Sequence, residues 1–224
     1  MMMQKKSWAA GIDLGGTKIQ LLQLDTEGNV GEKIRCETDV QGGPQAIQEE
    51  IIRTLKQLEQ KIGCSPVAIG IGIAGQIEEK TGKVLFAPNL KWENVPIQEM
   101  LYNQLHVPLS VLNDVRAATW GEWLHGAGKE KQNLLCIFVG TGIGGGIVFE
   151  GKMLAGSSNS AGEIGHMVVS LNGPRCTCGN NGCMEAIAGG WAMTEQAKKR
   201  IRQYPEQGKI LMEKADGDAE AING

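Results

Sequence analysis

The chain lacks a dominant charge. Its 22 basic and 25 acidic side chains leave a formal charge of −3 over 224 residues, so no overall attraction to nucleic acid or to an anionic membrane is built in. Long apolar runs are missing as well. The longest uncharged stretch, Leu134 to Phe149, is interrupted by five glycines and a threonine, too broken for a spanning helix. No secretory leader is expected before the first strand, since Met1 to Ser7 is polar and basic and Trp8 is expected to begin the fold. A reducing cytoplasm is the expected compartment, where clustered cysteines are better explained by metal than by disulfides.

Of the six cysteines, Cys36, Cys64 and Cys136 are scattered, whereas Cys176, Cys178 and Cys183 lie close together, ten residues and more beyond His166. One imidazole and three thiolates at this spacing can close around a single tetrahedral zinc ion. With no open position the ion would be structural, fixing the loop that carries Glu163 and Glu185. Three free cysteines beside a loop histidine are the bland alternative.

Two glycine-rich segments, Ala10-Gly11-Ile12-Asp13-Leu14-Gly15-Gly16-Thr17-Lys18 and Phe138-Val139-Gly140-Thr141-Gly142-Ile143-Gly144-Gly145-Gly146, each sit between strand-like runs. Glycine lets backbone N–H groups approach phosphate oxygens, and the threonine hydroxyls add donors. Gly15, Gly16, Thr17, Lys18, Gly140, Thr141 and Gly142 are the phosphate candidates, against plain glycine hairpins. The strand-turn-strand setting disfavours a Walker loop or a Rossmann fingerprint, both of which run from a strand into a helix.

Strands are expected over 8–13, 19–24, 30–37, 67–74, 107–112, 134–139 and 147–150. Ile47, Ile51, Leu55, Leu58 and Ile62 mark a helix opening at Gly43-Pro44 and closing at Gly63. A polar hairpin surrounds Glu79 to Gly82, Phe86 to Trp92 reads as loop, and helices are expected over 115–125 and 184–202, with one further short stretch after Tyr204. The repeated strand–glycine turn–strand unit points to a duplicated α/β architecture with a cleft between two lobes. Asn113-Asp114 stands at a strand's carboxyl end, where open α/β sheets bind ligands, although Asp114 could simply cap the following helix. Gly70, Gly72 and Gly75 permit close backbone approach.

The ordered set of Asp13 to Lys18, Pro88-Asn89-Leu90, Asn113-Asp114, Gly140 to Gly146, Glu163-Ile164-Gly165-His166 and Cys176 to Glu185 resembles the ROK family of sugar kinases and sugar-responsive repressors. The resemblance implies an α/β, actin-like/hexokinase (ribonuclease H-like) two-lobed fold with mixed sheets. It implies a small lobe over residues 1–115 and part of a large lobe over 116–224, with the chain ending at Ile222-Asn223-Gly224, short of the family's usual extent. Its implied activity is ATP-dependent phosphorylation of a hexose, glucose foremost, with N-acetylmannosamine, N-acetylglucosamine or fructose as alternatives. Asp114 is implied as general base, and Gly75, Asn89, Asn113, Asp114, Glu163, His166 and Glu185 as the sugar site. Asp13 would help position the Mg²⁺ that accompanies ATP, zinc would be held by His166, Cys176, Cys178 and Cys183, and the longer form would be a homodimer. A non-catalytic sugar binder is the competing class. A DNA-bound repressor is disfavoured, since only about a dozen residues precede the first glycine turn, too few for a helix-turn-helix. A redox or zinc-handling protein would leave both glycine turns unexplained.

Overall fold

The computed structural model describes residues 7–157 and 159–222. Most of the polar opening, Met1 to Lys6, and the terminal Asn223-Gly224 lie outside the described residues. The chain divides between Glu130 and Lys131 into two units.

The first unit opens with a meander of β1 (Trp8–Leu14), β2 (Lys18–Asp25) and β3 (Val30–Glu37), antiparallel throughout. Alternation puts Trp8, Ala10, Ile12 and Leu14 on one buried face of β1, matched by Ile19 and Leu21 on β2. Helix α1 (Gly43–Ile62) then crosses over, burying Ile47, Ile51, Leu55 and Leu58 completely. Full burial of each is worth about 1.5–3 kcal/mol relative to exposure, so this stripe rather than propensity fixes the helix. Pro44 sits in its first turn, and Gly63 ends it at φ 87°, its N–H donating to the Glu59 carbonyl at 2.7 Å.

Beyond α1, β4 (Ala68–Ile73) pairs parallel with β1, and β8 (Leu109–Asn113) pairs parallel with β4. The five-stranded order is β3-β2-β1-β4-β8, which gathers the carboxyl ends of three parallel strands. Helix α3 (Asp114–His125) leaves directly from β8 and packs on β4, so it stays with the first unit, and the division falls beyond the boundary expected at 115/116.

Between β4 and β8 lie β5 (Gln76–Glu78), β6 (Lys83–Ala87) and β7 (Trp92–Val95), an antiparallel sheet in that order, and then α2 (Ile97–Leu105). The expected hairpin at Glu79 to Gly82 is present. The expectation of a loop over Phe86 to Trp92 is corrected: only Pro88–Leu90, a short 3-10 turn, and Lys91 at φ 56° fall outside the strands. Val84, Ala87, Leu90, Trp92 and Val95 are buried in the main core, so packing holds this segment where its turn residues hide the period. Helix α2, buried through Ile97 and Leu101, has no counterpart among the expected elements.

The second unit begins with β9 (Leu134–Val139), β10 (Ile143–Phe149) and β11 (Lys152–Met153), an antiparallel sheet in the order β11-β10-β9. Strand β10 starts at Ile143 rather than at 147, so Gly144, Gly145 and Gly146 are strand residues. Backbone crowding explains Gly145: a Cβ there would stand 2.7 Å from the Gly162 carbonyl oxygen. The single helix expected over 184–202 is two, α4 (Met184–Ala188) and α5 (Gly190–Gln203), broken at Gly189 with ψ 154°. Helix α6 (Lys209–Lys214), between two 3-10 turns, closes the described chain. Among the described residues, no helix is long and apolar enough to cross a membrane.

Candidate active site

In the first unit, residues converge at the carboxyl edge of the five-stranded sheet. Asp13 on β1 lies opposite Gly72 on β4, which lies opposite Leu112 on β8, so Asp13 and Asp114 emerge from strands separated by one that carries no side chain there. A Cβ at Gly72 would come within 3.4 Å of Asp114 Cα, which is how the first turn of α3 packs so closely on β4.

Asp114 is the first residue of α3, and the cap is its neighbour. Asn113 Oδ1 accepts the Arg116 N–H at 3.1 Å, while Asn113 Nδ2 donates to the Gly75 carbonyl at 3.2 Å. The bland reading of Asp114 as the helix cap is thereby corrected. Asp114 Oδ1 accepts only the adjacent Val115 N–H, at 2.9 Å, and no cation pairs with the carboxylate among the described residues. Partial burial pushes its pKa above the ordinary aspartate value and the Asp13 charge pushes the same way, against the opposing Val115 N–H. Such a carboxylate holds a proton more readily than a solvated one, as a general base requires. Arg116, buried, pairs with Glu79 at 3.1 Å and ties α3 to the β5–β6 turn.

The first glycine turn closes through Gly15 N–H to the Lys18 carbonyl at 3.0 Å. Thr38 braces it: its hydroxyl donates to the Gly15 carbonyl at 2.7 Å and its N–H to the Thr17 carbonyl at 3.1 Å. The N–H groups of Gly16 and Thr17 carry no protein acceptor among the described residues, as a phosphate site needs. A Cβ at Gly16 would stand 2.5 Å from the Asn89 carbonyl oxygen, so the Pro88–Leu90 turn rests on this glycine and brings the exposed Asn89 beside it. Asp13, Gly15, Gly16, Thr17, Lys18, Gly75, Asn89, Asn113 and Asp114 thus all belong to one unit.

Gly140, Thr141, Gly142, Glu163, His166, Glu185 and the three clustered cysteines belong to the other. Gly140 N–H donates to the Gly142 carbonyl at 2.9 Å, closing the second turn, and Thr141 and Gly142 keep N–H groups without a protein acceptor among the described residues. Glu163 is exposed at the start of a 3-10 turn, Ile164–His166, whose Gly165 packs against the Ile143 carbonyl so tightly that a Cβ would collide. Glu185, expected to face a sugar, also contacts the protein: Oε2 accepts the Ile143 N–H at 2.8 Å and Oε1 the Trp191 indole N–H at 3.4 Å, and each oxygen keeps a further lone pair.

The ligand atoms of His166, Cys176, Cys178 and Cys183 all lie within 4.8 Å of one another, a cluster that can hold a metal ion. His166 Nδ1 is 3.6 Å from Cys176 Sγ, and the Cys178 and Cys183 sulfurs are 3.7 Å apart. Tetrahedral zinc, with sulfur at about 2.3 Å and nitrogen at about 2.0–2.1 Å, calls for edges of about 3.6–3.8 Å, so the donor set and these two separations fit that ion. Burial pushes the Cys183 thiol up to about 12, and the crowding Cys178 and Cys176 sulfurs add to it. The Asn180 N–H lowers that of exposed Cys178. A cation would relieve this crowding by holding all three as thiolates.

Sequence reasoning missed Thr38, Trp191 and the Ile143 N–H. Thr38 and Trp191 carry no local signal, since each acts across a fold contact. Gly72 was visible as a close-approach glycine, and the adjacent Gly189-Gly190 pair could have marked the helix break.

The chain matches the model of the ROK family over residues 9–223. It is 37% identical to the glucokinase of Streptomyces coelicolor over 214 residues, which are 96% of this chain and 66% of that protein. It is 34% identical to the xylose repressor of Caldicellulosiruptor bescii, covering 92% of this chain and 52% of the repressor. Among solved structures, a ROK family glucokinase from Streptomyces griseus in complex with glucose and AMPPNP superposes with a TM-score of 0.81 at 35% identity, over 97% of this chain and 68% of that one. The chain therefore spans just under two thirds of the curated glucokinase it matches. Its mixed α/β architecture is that of the ROK glucokinases, the actin-like/hexokinase fold.

Proposed function

The chain belongs to the ROK family, and from that membership we propose that it carries the sugar and phosphate sites of an ATP-dependent hexose kinase acting on glucose. The observation that carries the reading is the partly buried Asp114 carboxylate, without a cationic partner among the described residues, at the carboxyl edge of the sheet and in the same unit as a phosphate-ready glycine turn. Glucokinases among its relatives support the substrate.

In this reading Asp114 accepts the proton of the attacking sugar hydroxyl while the oxygen bonds to the γ-phosphorus and ADP departs with the electron pair of the broken bond. The free N–H groups of Gly16, Thr17, Thr141 and Gly142, with the Thr17 and Thr141 hydroxyls and Lys18, hold phosphate oxygens. Asp13 helps position the Mg²⁺ that arrives with ATP, through water. Asn89, the spare amide hydrogen of Asn113, Glu163, the far nitrogen of His166 and a remaining lone pair of Glu185 meet sugar hydroxyls, with Gly75 fixing Asn113 from behind. Selectivity then rests on polar groups that a wrong sugar leaves unpaired. Zinc on His166, Cys176, Cys178 and Cys183 would supply a rigid cross-link and no reacting group.

The test is hexose-dependent ADP release with Mg²⁺-ATP across glucose, mannose, N-acetylmannosamine, N-acetylglucosamine and fructose, run on this chain and on a form extended to the relatives' length. Turnover of glucose ahead of the others in either form is the expected result; turnover of another sugar reassigns the substrate. A second reading, a sugar-responsive binder without catalysis, is favoured by the likeness to xylose repressors. Saturable sugar binding with no ADP release by the extended form would establish it instead.

A further inference from the structure

Resting on the reading of Gly140-Thr141-Gly142 as a phosphate turn, we propose that Glu185 is a positioning residue for that turn, through which metal loading of the cysteine knuckle is felt at the phosphate site. The path is short and continuous. His166 and Cys183 are both ligand candidates, and the residues following them are joined where Met184 N–H donates to the Met167 carbonyl at 2.9 Å. That bond starts α4, with Cys183 at its N-cap and Glu185 in its first turn.

From there Glu185 reaches the phosphate turn. Its Oε2 takes the Ile143 N–H at 2.8 Å, and it lies so close to Gly142 that a Cβ there would collide with it. Helix α4 then stops at Gly189, and the first N–H groups of α5 grip the same turn from its carbonyl side. Gly190 N–H donates to the Gly140 carbonyl at 2.9 Å and Trp191 N–H to the Thr141 carbonyl at 3.0 Å. The Trp191 indole N–H returns to Glu185 Oε1. Among the described residues, these braces on the turn come from residues 185–191, immediately after a candidate metal ligand.

Electrostatics gives this arrangement a purpose. A carboxylate beside a phosphate turn would repel the phosphate and compete with it for the free N–H groups of Thr141 and Gly142. Held on Ile143 and Trp191, the carboxylate keeps its charge but has its position fixed. A loosened knuckle would free the carboxylate to occupy the phosphate's donors.

Hydrogen exchange on the zinc-loaded chain, the zinc-stripped chain and a zinc-loaded Glu185→Ala variant tests this, with Mg²⁺-AMPPNP affinity as second readout. A hydrogen bond to a charged acceptor is worth about 1.5–3 kcal/mol, so Ile143 N–H should exchange about 10- to 100-fold faster in Glu185→Ala at unchanged zinc content. Zinc removal should speed the same amide, while Val148, paired with Met153 at the far end of β10, keeps its protection. AMPPNP affinity should fall about tenfold or more in both, and Glu185→Gln, which keeps an acceptor for Ile143, should recover most of both losses. Unchanged Ile143 exchange in zinc-loaded Glu185→Ala overturns the proposal, as does a Gln variant no better than Ala. If zinc removal also exposes Val148, the zinc-loaded variants decide. Exchange needs no nucleotide, so AMPPNP binding that is absent even from the parent defeats the kinase reading without deciding this coupling, and intact binding with unchanged exchange defeats the coupling alone.

Discussion

Replacing Asp114 with Asn separates the proton acceptor from the scaffold that carries it. An Asn Oδ1 accepts the Val115 N–H as the carboxylate does, the cap remains with Asn113, and no ion pair is lost. What disappears is the basic oxygen. Positioned general bases contribute about 100- to 10,000-fold, or about 2.7–5.4 kcal/mol of barrier at 1.36 kcal/mol per decade. Turnover of glucose by the active form should fall by that factor with KM little changed. Stability should move the other way. The folded-state pKa of Asp114 lies above its unfolded value of 3.8, so its contribution to stability is fully present below that value and is lost as pH rises through the folded pKa. At pH 7 the parent bears a partly buried charge beside Asp13, and Asp114→Asn does not. Urea denaturation should give the variant the higher midpoint at pH 7, with the gap closing as the pH falls below the carboxylate range. A variant with parental turnover refutes the base; one that is less stable at pH 7 refutes the account of the carboxylate's environment.

Asp13→Asn removes the like charge that raises Asp114, so the acidic limb of kcat/KM should move to lower pH; a limb that stays or rises would contradict the coupling. Gly16→Ala places a Cβ 2.5 Å from the Asn89 carbonyl oxygen, with backbone on both sides, so the Pro88–Leu90 turn must shift. A misplacement of about 1 Å can cost about 100-fold, and the loss should appear in kcat/KM for sugar while the melting temperature stays close to the parent's. Acidification should release metal from the knuckle as its thiolates protonate, read as zinc captured by a colorimetric chelator. Cys178→Ser, at the exposed ligand, should release it at higher pH, and equal release profiles would remove Cys178 from the site.

The first unit was legible wherever one face of an element is buried and the sequence period survives. Strand β3 occupies the expected residues, and α1 runs from Gly43 to its left-handed Gly63 as its apolar spacing and punctuation foretold. Legibility failed where buried residues are interleaved with turn chemistry. Val84, Ala87, Leu90, Trp92 and Val95 alternate only through a proline turn and a positive-φ lysine, so the end of β6 and the first residue of β7 were read as loop. In β10 the failure is of another kind, because its glycines look like a turn, whereas Gly145 is there for the backbone of Gly162 and the side chain of Ile164.

The two glycine turns carry this furthest. As sequence they are near copies, each a Gly-rich step between apolar strands, and each leaves backbone N–H groups free for an anion. Their braces are unrelated: a threonine hydroxyl from the strand-following segment holds the first, and a carboxylate with two helix N–H groups holds the second. What the motif encodes locally is a backbone that can face phosphate, since glycine alone permits that approach. What fixes that backbone is recruited from Thr38 in one unit and from Glu185 to Trp191 in the other, at separations no local pattern spans. The first brace follows directly from β3 in the sheet, whereas the second comes from a segment that begins at candidate metal ligands. The second turn is therefore where a change in metal content should be felt, and the first should be indifferent to it.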